Sequence, residues 1–472
     1  MKIEQIYTGC LAQGAYYIVS GNEAAIIDPL RDPAPYLERL QKDGVTLKYI
    51  FETHFHADFV SGHVDLANKT GAKIIYGPNA SCGYNCVSAT DGELFELGNI
   101  RLKVLHTPGH TMESSCYLLL DEQGQEKAVF TGDTLFIGDV GRPDLAQKAT
   151  GLTQEQLAAH LFHSLRTKLM TLNDDVTVYP GHGAGSACGK NMSNETVSTI
   201  RIQKNTNYAL RSSMTEKEFI EEVTAGLLPP PQYFGFNVKM NKEGYASIES
   251  VISYAEKALT PNEFEVAAES LQALILDTRH SSEFSKGFVP RSINIGIDGD
   301  FAPWVGTMLV DVKLPLLLIT EPGRESEVAT RLARVGFDNI IGHLKGGIVA
   351  WKEAEKEFDE VHRISAEQFS REFKEGESKV LDIRRESEYA AEHVSEAYSR
   401  PLAYINNWVK DIQPNEHFYI HCAGGYRSMI AASILLSRGY RNFSEVEGGF
   451  NAIAKTAVKR TDYVCQSKVK LS

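Results

Sequence analysis

The chain has 472 residues, 43% of them hydrophobic, and a formal net charge of -13. That length suggests roughly three domains, and the acidic balance excludes nucleic acid or an anionic membrane surface as the main partner, since both demand a basic footprint. No run reaches the roughly 20 apolar residues that span a bilayer, and the opening MKIEQIYTGCLAQG lacks the apolar stretch of an export signal, so a cytoplasmic protein without a membrane partner is expected. Seven cysteines (Cys10, Cys82, Cys86, Cys116, Cys188, Cys422 and Cys465) are odd in number and scattered, which predicts free thiols in a reducing compartment. Cys82 and Cys86 have the proximity of zinc ligands, but no second Cys or His pair lies nearby to complete such a site.

From Met1 to about Leu210, short apolar runs such as AYYIVS, AAIID, IRLKVLHT and KAVFTGD alternate with glycine turns, the pattern of a mixed α/β layer protein. Residues 193–226 read as helical. Ser193 or Asn194 is the expected start of the first helix and Thr215, three residues before Glu218, that of the second. Pro229 to Pro231 end the helical region. Beyond a polar connector, LILDTRHSSEFSKGFVPRSINI (274–295) resembles KVLDIRRESEYAAEHVSEAYSRPL (379–402). Asp277 pairs with Asp382, Gly336 with Gly439 and Gly346 with Gly448, at offsets of 105, 103 and 102 residues. So small a drift over separate segments predicts a tandem repeat of α/β domains, each with a parallel sheet wrapped by helices. The expected boundaries are 1–245, 260–358 and 362–472.

Six ligand-type residues follow apolar strands and precede or neighbour glycines: His54, His56 and Asp58 in ETHFHADFVSGH, His110 in HTPGHT, Asp133 in FTGDTLF and His182 in YPGHG. Each is placed on a loop at a sheet edge, where distant segments converge, which predicts a metal site. Asp28, closing AAIID, is expected to order a turn near these loops. The pattern resembles the metallo-β-lactamase superfamily, which implies an αββα sandwich. Phe59 departs from it, because the family's two-metal hydrolases place a ligand of the second metal there and phenylalanine has no lone pair. One metal is therefore expected. THFHAD and TGDTLFIGDVGRPDL are similar to the persulfide dioxygenase branch. That resemblance implies one Fe(II) on His54, His110 and Asp133, with two imidazoles and one carboxylate leaving open positions, and His56, Asp58 and His182 behind them. Arg142 and Asp144, just after Asp133, are expected to form an ion pair that shapes the pocket. Cys188, six residues past His182, either reaches the pocket or is a small buried core residue.

YIHCAGGYRS (419–428) runs from an apolar strand through a glycine loop into a helical pattern. Loop N–H groups and a helix N-terminus aimed at Cys422 would favour its thiolate, and Arg427 adds a fixed positive charge. With four residues between Cys and Arg, the loop resembles that of rhodanese sulfurtransferases; cysteine-dependent phosphatases have five. The first repeat has LITEPGRESEV at this place and no cysteine, so it is expected to be structural. The whole resembles persulfide dioxygenase–sulfurtransferase fusions of sulfide detoxification. This implies Fe(II)- and O2-dependent oxidation of a low-molecular-weight thiol persulfide to sulfite, with Cys422 passing sulfane sulfur to sulfite or from thiosulfate. Two rivals stand beside it: a glyoxalase II-type thioester hydrolase with zinc or mixed metals, and a non-catalytic sulfur carrier or sensor. A homo-oligomer is the default expectation.

Overall fold

The computed structural model describes residues 1–190, 192–227, 229–413 and 415–464. Contacts divide the chain into two compact units, Met1–Glu249 with Leu332–Phe337, and Ser250–Arg331 with the chain from Asp338 onward. Among the described residues no helix is long and apolar enough to cross a membrane.

The first unit is built on two six-stranded mixed sheets. Strict alternation along the strand Gln13–Ser20 shows how they stack. Tyr16 and Ile18 join Phe51, Ile75, Leu102, Val104, Tyr117 and Phe130 in a core drawn from both sheets. Ala15 and Tyr17 point the other way, into a cluster with Tyr36 of the helix Ala34–Asp43 and Leu66 of the helix His63–Thr70. On the far side, Leu105, Leu118, Val129 and Val178 pack against Leu161, Leu165 and Phe219. The expected αββα sandwich follows: the inner strands bury one face against the other sheet and one against helices.

The second unit contains both repeats, each with an all-parallel five-stranded sheet. In the first the order is Ala258–Leu259, Ile340–Leu344, Leu316–Ile319, Leu274–Asp277, Ile293–Asn294; in the second it is Arg363–Ile364, Phe443–Val446, Phe418–His421, Val380–Asp382, Tyr398–Ser399. The two orders are the same, strand for strand, and strands buried on both faces explain the continuous apolar runs LLLI and FYI. The helix Tyr426–Ser437 of the second repeat packs on the strand Ile293–Asn294 of the first, where Ser433 Oγ accepts from the Asn294 amide at 3.0 Å.

Three sequence expectations need correction or placement. Cys82 and Cys86 are joined in a disulfide, so they are neither free thiols nor zinc ligands, whereas Cys10, Cys116, Cys188 and Cys422 are free. Cys465 lies outside the described residues. Residues 193–197 are not helical; the first helix runs Ile200–Thr206 with Thr199 as its cap, because the Thr199 hydroxyl accepts from Ile202 N while Ser193 instead extends the loop. The second helix, Glu216–Thr224, starts at the expected Thr215–Glu218 capping box.

Candidate metal centre and sulfur-handling loop

All four ligand-bearing loops leave the C-terminal ends of strands: Thr46–Phe51, Ile100–His106, Glu126–Gly132 and Thr177–Pro180. They converge on Asp133. His110 Nε2 lies 3.4 Å and His54 Nε2 3.8 Å from Asp133 Oδ2, and all three side chains are buried. Gly141 and Gly181 permit this approach. A Cβ on Gly141 would collide with the Asp133 carbonyl, and one on Gly181 would lie 2.7 Å from Asp133 Oδ1.

Hydrogen bonds behind the ligands fix their chemistry. Thr53 Oγ1 donates to Asp28 Oδ2 at 2.9 Å, so the 2.9 Å contact with His54 Nδ1 must be an N–H donated to Thr53. Asp28 Oδ1 also accepts from Thr53 N at 2.8 Å. His110 Nδ1 lies 2.9 Å from the Arg142 carbonyl and must donate to it. Both rings therefore present an Nε2 lone pair to Asp133 Oδ2, which is buried and has no hydrogen-bond partner. Burial first, then the charge of His56, holds His54 neutral, its pKa well below the ordinary value. Burial works against the Asp133 carboxylate, but the charge and hydrogen bond of His182 outweigh it and hold its pKa well down. Two lone pairs and a bare carboxylate oxygen in a buried pocket fit a divalent cation.

The remaining predicted residues surround this group. His182 Nδ1 is 2.8 Å from Asp133 Oδ1 and its Nε2 is 2.8 Å from Asp58 Oδ2. Burial pulls this imidazole toward neutrality, yet Asp133 and Asp58 outweigh it and raise its pKa well above normal. Cys188 is buried, its thiol within 4.8 Å of ligand atoms of Asp58 and His182, so it reaches the pocket. Burial and then Asp58 and Asp133 push that thiol well up. Phe59 is fully buried and stacks on His56 at 4.2 Å between ring centroids. Arg142 grips Asp144 with two bonds of 2.7 and 2.8 Å and reaches the Ala187 carbonyl at 3.1 Å, while its amide donates to the Cys188 carbonyl. One residue thus ties His110 to the Cys188 loop.

His56 stands apart from the pocket's centre. Its Nε2 faces Asp28 Oδ1 at 3.1 Å and Glu52 Oε2 at 3.4 Å; burial opposes its charge, but Asp28 and Glu52 raise its pKa to about 10. Sequence reasoning passed over Glu52, His63 and Asn241. The Asn241 side chain, on the helix Phe234–Glu243, donates to the His56 and Phe59 carbonyls at 2.8 Å each and accepts from Ser61 N. A buried asparagine in so ordinary a helix carries no local signal of that role.

In the second repeat, Gly425 N donates to Cys422 Sγ at 3.1 Å, and the helix Tyr426–Ser437 begins at once. Gly425 takes φ +108, which a side chain would rarely allow. Arg427 is held by two bonds to Glu388, 2.6 and 2.9 Å, so its charge is shared with a carboxylate that the sequence reading passed over. By strand register, Asp277 pairs with Ile319 and Asp382 with His421, so Thr320 occupies in the first repeat the place of Cys422. That position carries no thiol.

Residues 8–84 and 87–182 match the metallo-beta-lactamase superfamily, and residues 260–354 and 365–456 the rhodanese-like domain. The human protein named persulfide dioxygenase ETHE1, mitochondrial, is 30% identical over 220 residues, 46% of this chain and 78% of that protein. The probable hydroxyacylglutathione hydrolase glo2 of Schizosaccharomyces pombe is 34% identical over 161 residues, 34% of this chain; the chain spans only 58% of that hydrolase's length. A crystal structure of a metallo-beta-lactamase from Staphylococcus aureus covers 73% of this chain and 99% of its own, with 31% identity and a TM-score of 0.63. These relatives are enzymes, and the fold they share is one that holds metal. The chain belongs to the metallo-beta-lactamase superfamily, and two rhodanese-like domains follow that fold in the same polypeptide.

Proposed function

We propose that the chain is a persulfide dioxygenase joined to a sulfurtransferase: one Fe(II) on His54, His110 and Asp133 serves the oxidation of a low-molecular-weight thiol persulfide by O2 to sulfite, and Cys422 carries sulfane sulfur to sulfite or from thiosulfate. The observation that carries this reading is the ligand set itself, two imidazoles and one carboxylate with Nε2, Nε2 and Oδ2 turned to a common point. Iron bound there would supply the dioxygen chemistry that no side chain of the pocket offers.

The chain's own residues do the rest. Thr53 and the Arg142 carbonyl keep the two rings in the tautomer that ligates. Phe59 fills the place of a second-metal ligand and dries the pocket wall against His56. Both nitrogens of His182 face carboxylates, so its positive charge sits where a second metal would otherwise neutralise Asp58 and Asp133. Cys188 lines the same side and can meet the sulfur chain of a substrate. At the other centre, the Gly425 N–H donates to Cys422 sulfur where the helix Tyr426–Ser437 begins.

The hydroxyacylglutathione hydrolase relatives favour the rival reading of a thioester hydrolase. Phe59 and the engaged nitrogens of His182 weigh against it. Iron-loaded protein is expected to consume O2 and form sulfite with at least one of glutathione persulfide and coenzyme A persulfide, and His110→Ala to abolish it; turnover of thioesters with no persulfide-dependent uptake would favour the hydrolase.

A further inference from the structure

Cys422 has a neighbour that the sulfur-transfer reading leaves unused. Cys422 Sγ lies 3.4 Å from Ser428 Oγ, and Ser428 Oγ lies 2.5 Å from Glu445 Oε1. Glu445 is fully buried on the strand Phe443–Val446, between Arg363 on one side and Ile420 on the other in register. Its second oxygen accepts from Arg363 Nε at 2.7 Å. A carboxylate in the middle of a parallel sheet is costly to bury and needs pairing; Arg363 supplies the pairing but not a reason for the acid to be there.

The first repeat supplies the comparison. There, register puts His343 opposite Leu318 and Ala258 opposite His343, the places of Glu445 and Arg363. Ser326, six residues past Thr320 as Ser428 is past Cys422, turns instead to Glu256 at 2.7 Å. Where the thiol is missing, so are the buried acid and its arginine.

We propose that Glu445 is a positioning residue for sulfur transfer, taking and returning the Cys422 proton through Ser428. A serine hydroxyl has one hydrogen. Donated to Glu445, it leaves an oxygen lone pair facing the Cys422 thiol. The thiol proton passes to Ser428 Oγ as the hydroxyl hydrogen passes to Glu445 Oε1. The Cys422 thiolate then attacks the outer sulfur of thiosulfate or a persulfide; a new S–S bond forms on Cys422, the donor's S–S bond breaks, and sulfite or a thiolate leaves with the electron pair. When an acceptor nucleophile removes the outer sulfur, the proton returns by the same path. Burial raises the Glu445 carboxyl above its ordinary range despite the pull of Arg363 and Ser428, which suits a group that must accept a proton. The charged and titratable groups around it are Arg363, Glu447 just past the strand, and Cys422; the ring of His421 is turned to Asp382, 4.0 Å away.

This inference rests on Cys422 being a sulfur-transfer cysteine, and the test separates the two. With the full chain and thiosulfate as donor, sulfite release in the first turnover is followed by rapid mixing from about pH 5 to pH 9 for wild type, Cys422→Ser, Glu445→Gln and Ser428→Ala. Glu445→Gln is expected to slow release by about 10-fold or more, to flatten the acidic limb of the pH profile and to leave KM for thiosulfate within about twofold. Ser428→Ala should do the same, and the double variant should be no slower than the slower single one, as for residues acting as a unit. A purely structural Glu445 would lower the melting temperature and leave the acidic limb in place, which overturns the proposal. If Glu445→Gln does not fold, Ser428→Ala decides, and a wild-type rate and profile there overturns it. If wild type releases no more sulfite than Cys422→Ser, the sulfur-transfer reading falls and the relay with it; if wild type releases sulfite and both relay variants match it, the relay alone falls.

Discussion

Thr53 shows how much of the metal centre rests on a residue that never faces it. Its hydroxyl joins Asp28 to His54 Nδ1, so Thr53→Val removes the acceptor that fixes the ring. Loss of such an outer partner costs about 10- to 100-fold in metal affinity, and competition against a chromophoric chelator should show it; an unchanged affinity would mean that packing alone holds His54. Asp382 carries a comparable load in the second repeat. It is fully buried and bonded to Arg384 at 2.6 and 2.9 Å. Asp382→Asn strands the arginine's charge and should cost about 3–5 kcal/mol in denaturant unfolding near neutral pH. Burial works to raise the Asp382 pKa from 3.8, but His421 and Arg384 together lower it. A depressed carboxylate stabilises above its unfolded value and loses that contribution as pH falls through its folded one, so the gap between variant and wild type should narrow below about pH 3.8.

Among the elements, the contact between repeats decides how the sulfur loop is held. The Tyr426 hydroxyl donates to the Gly296 carbonyl at 2.7 Å, and a Cβ on Gly299 would clash with the Tyr426 ring. Tyr426 opens the helix whose N-terminus faces Cys422. The thiol-less repeat thus acts as a wall for the active loop. Gly299→Ala should cost about 1–3 kcal/mol in overpacking and slow thiosulfate-dependent transfer while sparing persulfide-dependent O2 uptake; equal loss of both activities would point to general unfolding instead. The elements themselves were largely readable in the chain. The continuous apolar runs AYYIVS and LLLI gave the doubly buried strands their type. The helix start near 193 was misplaced because Ser193 and Asn194 have cap chemistry, while Thr199, six residues on, is the one whose backbone turns.

For the whole molecule, the repeat offset exposed the architecture, and the loops at strand ends exposed the ligand-type residues that gather at the candidate metal centre, because metal chemistry restricts residue types so tightly. Partners that act from far along the chain were not readable. Asn241 pins the metal loop from 182 residues beyond Phe59, Glu445 looks in sequence like a surface acid of EVEGG, and Cys82–Cys86 closes a ring too short to announce itself. The central claim is that one metal ion, on His54, His110 and Asp133, makes the first unit an oxygenase. Metal analysis of protein reconstituted separately with excess Fe(II) and Zn(II), with persulfide-dependent O2 uptake read on the same samples, tests it most directly. One ion per chain in each case, with O2 consumed by the iron form alone, is the predicted result; two ions per chain, or no uptake by the iron form, would contradict it.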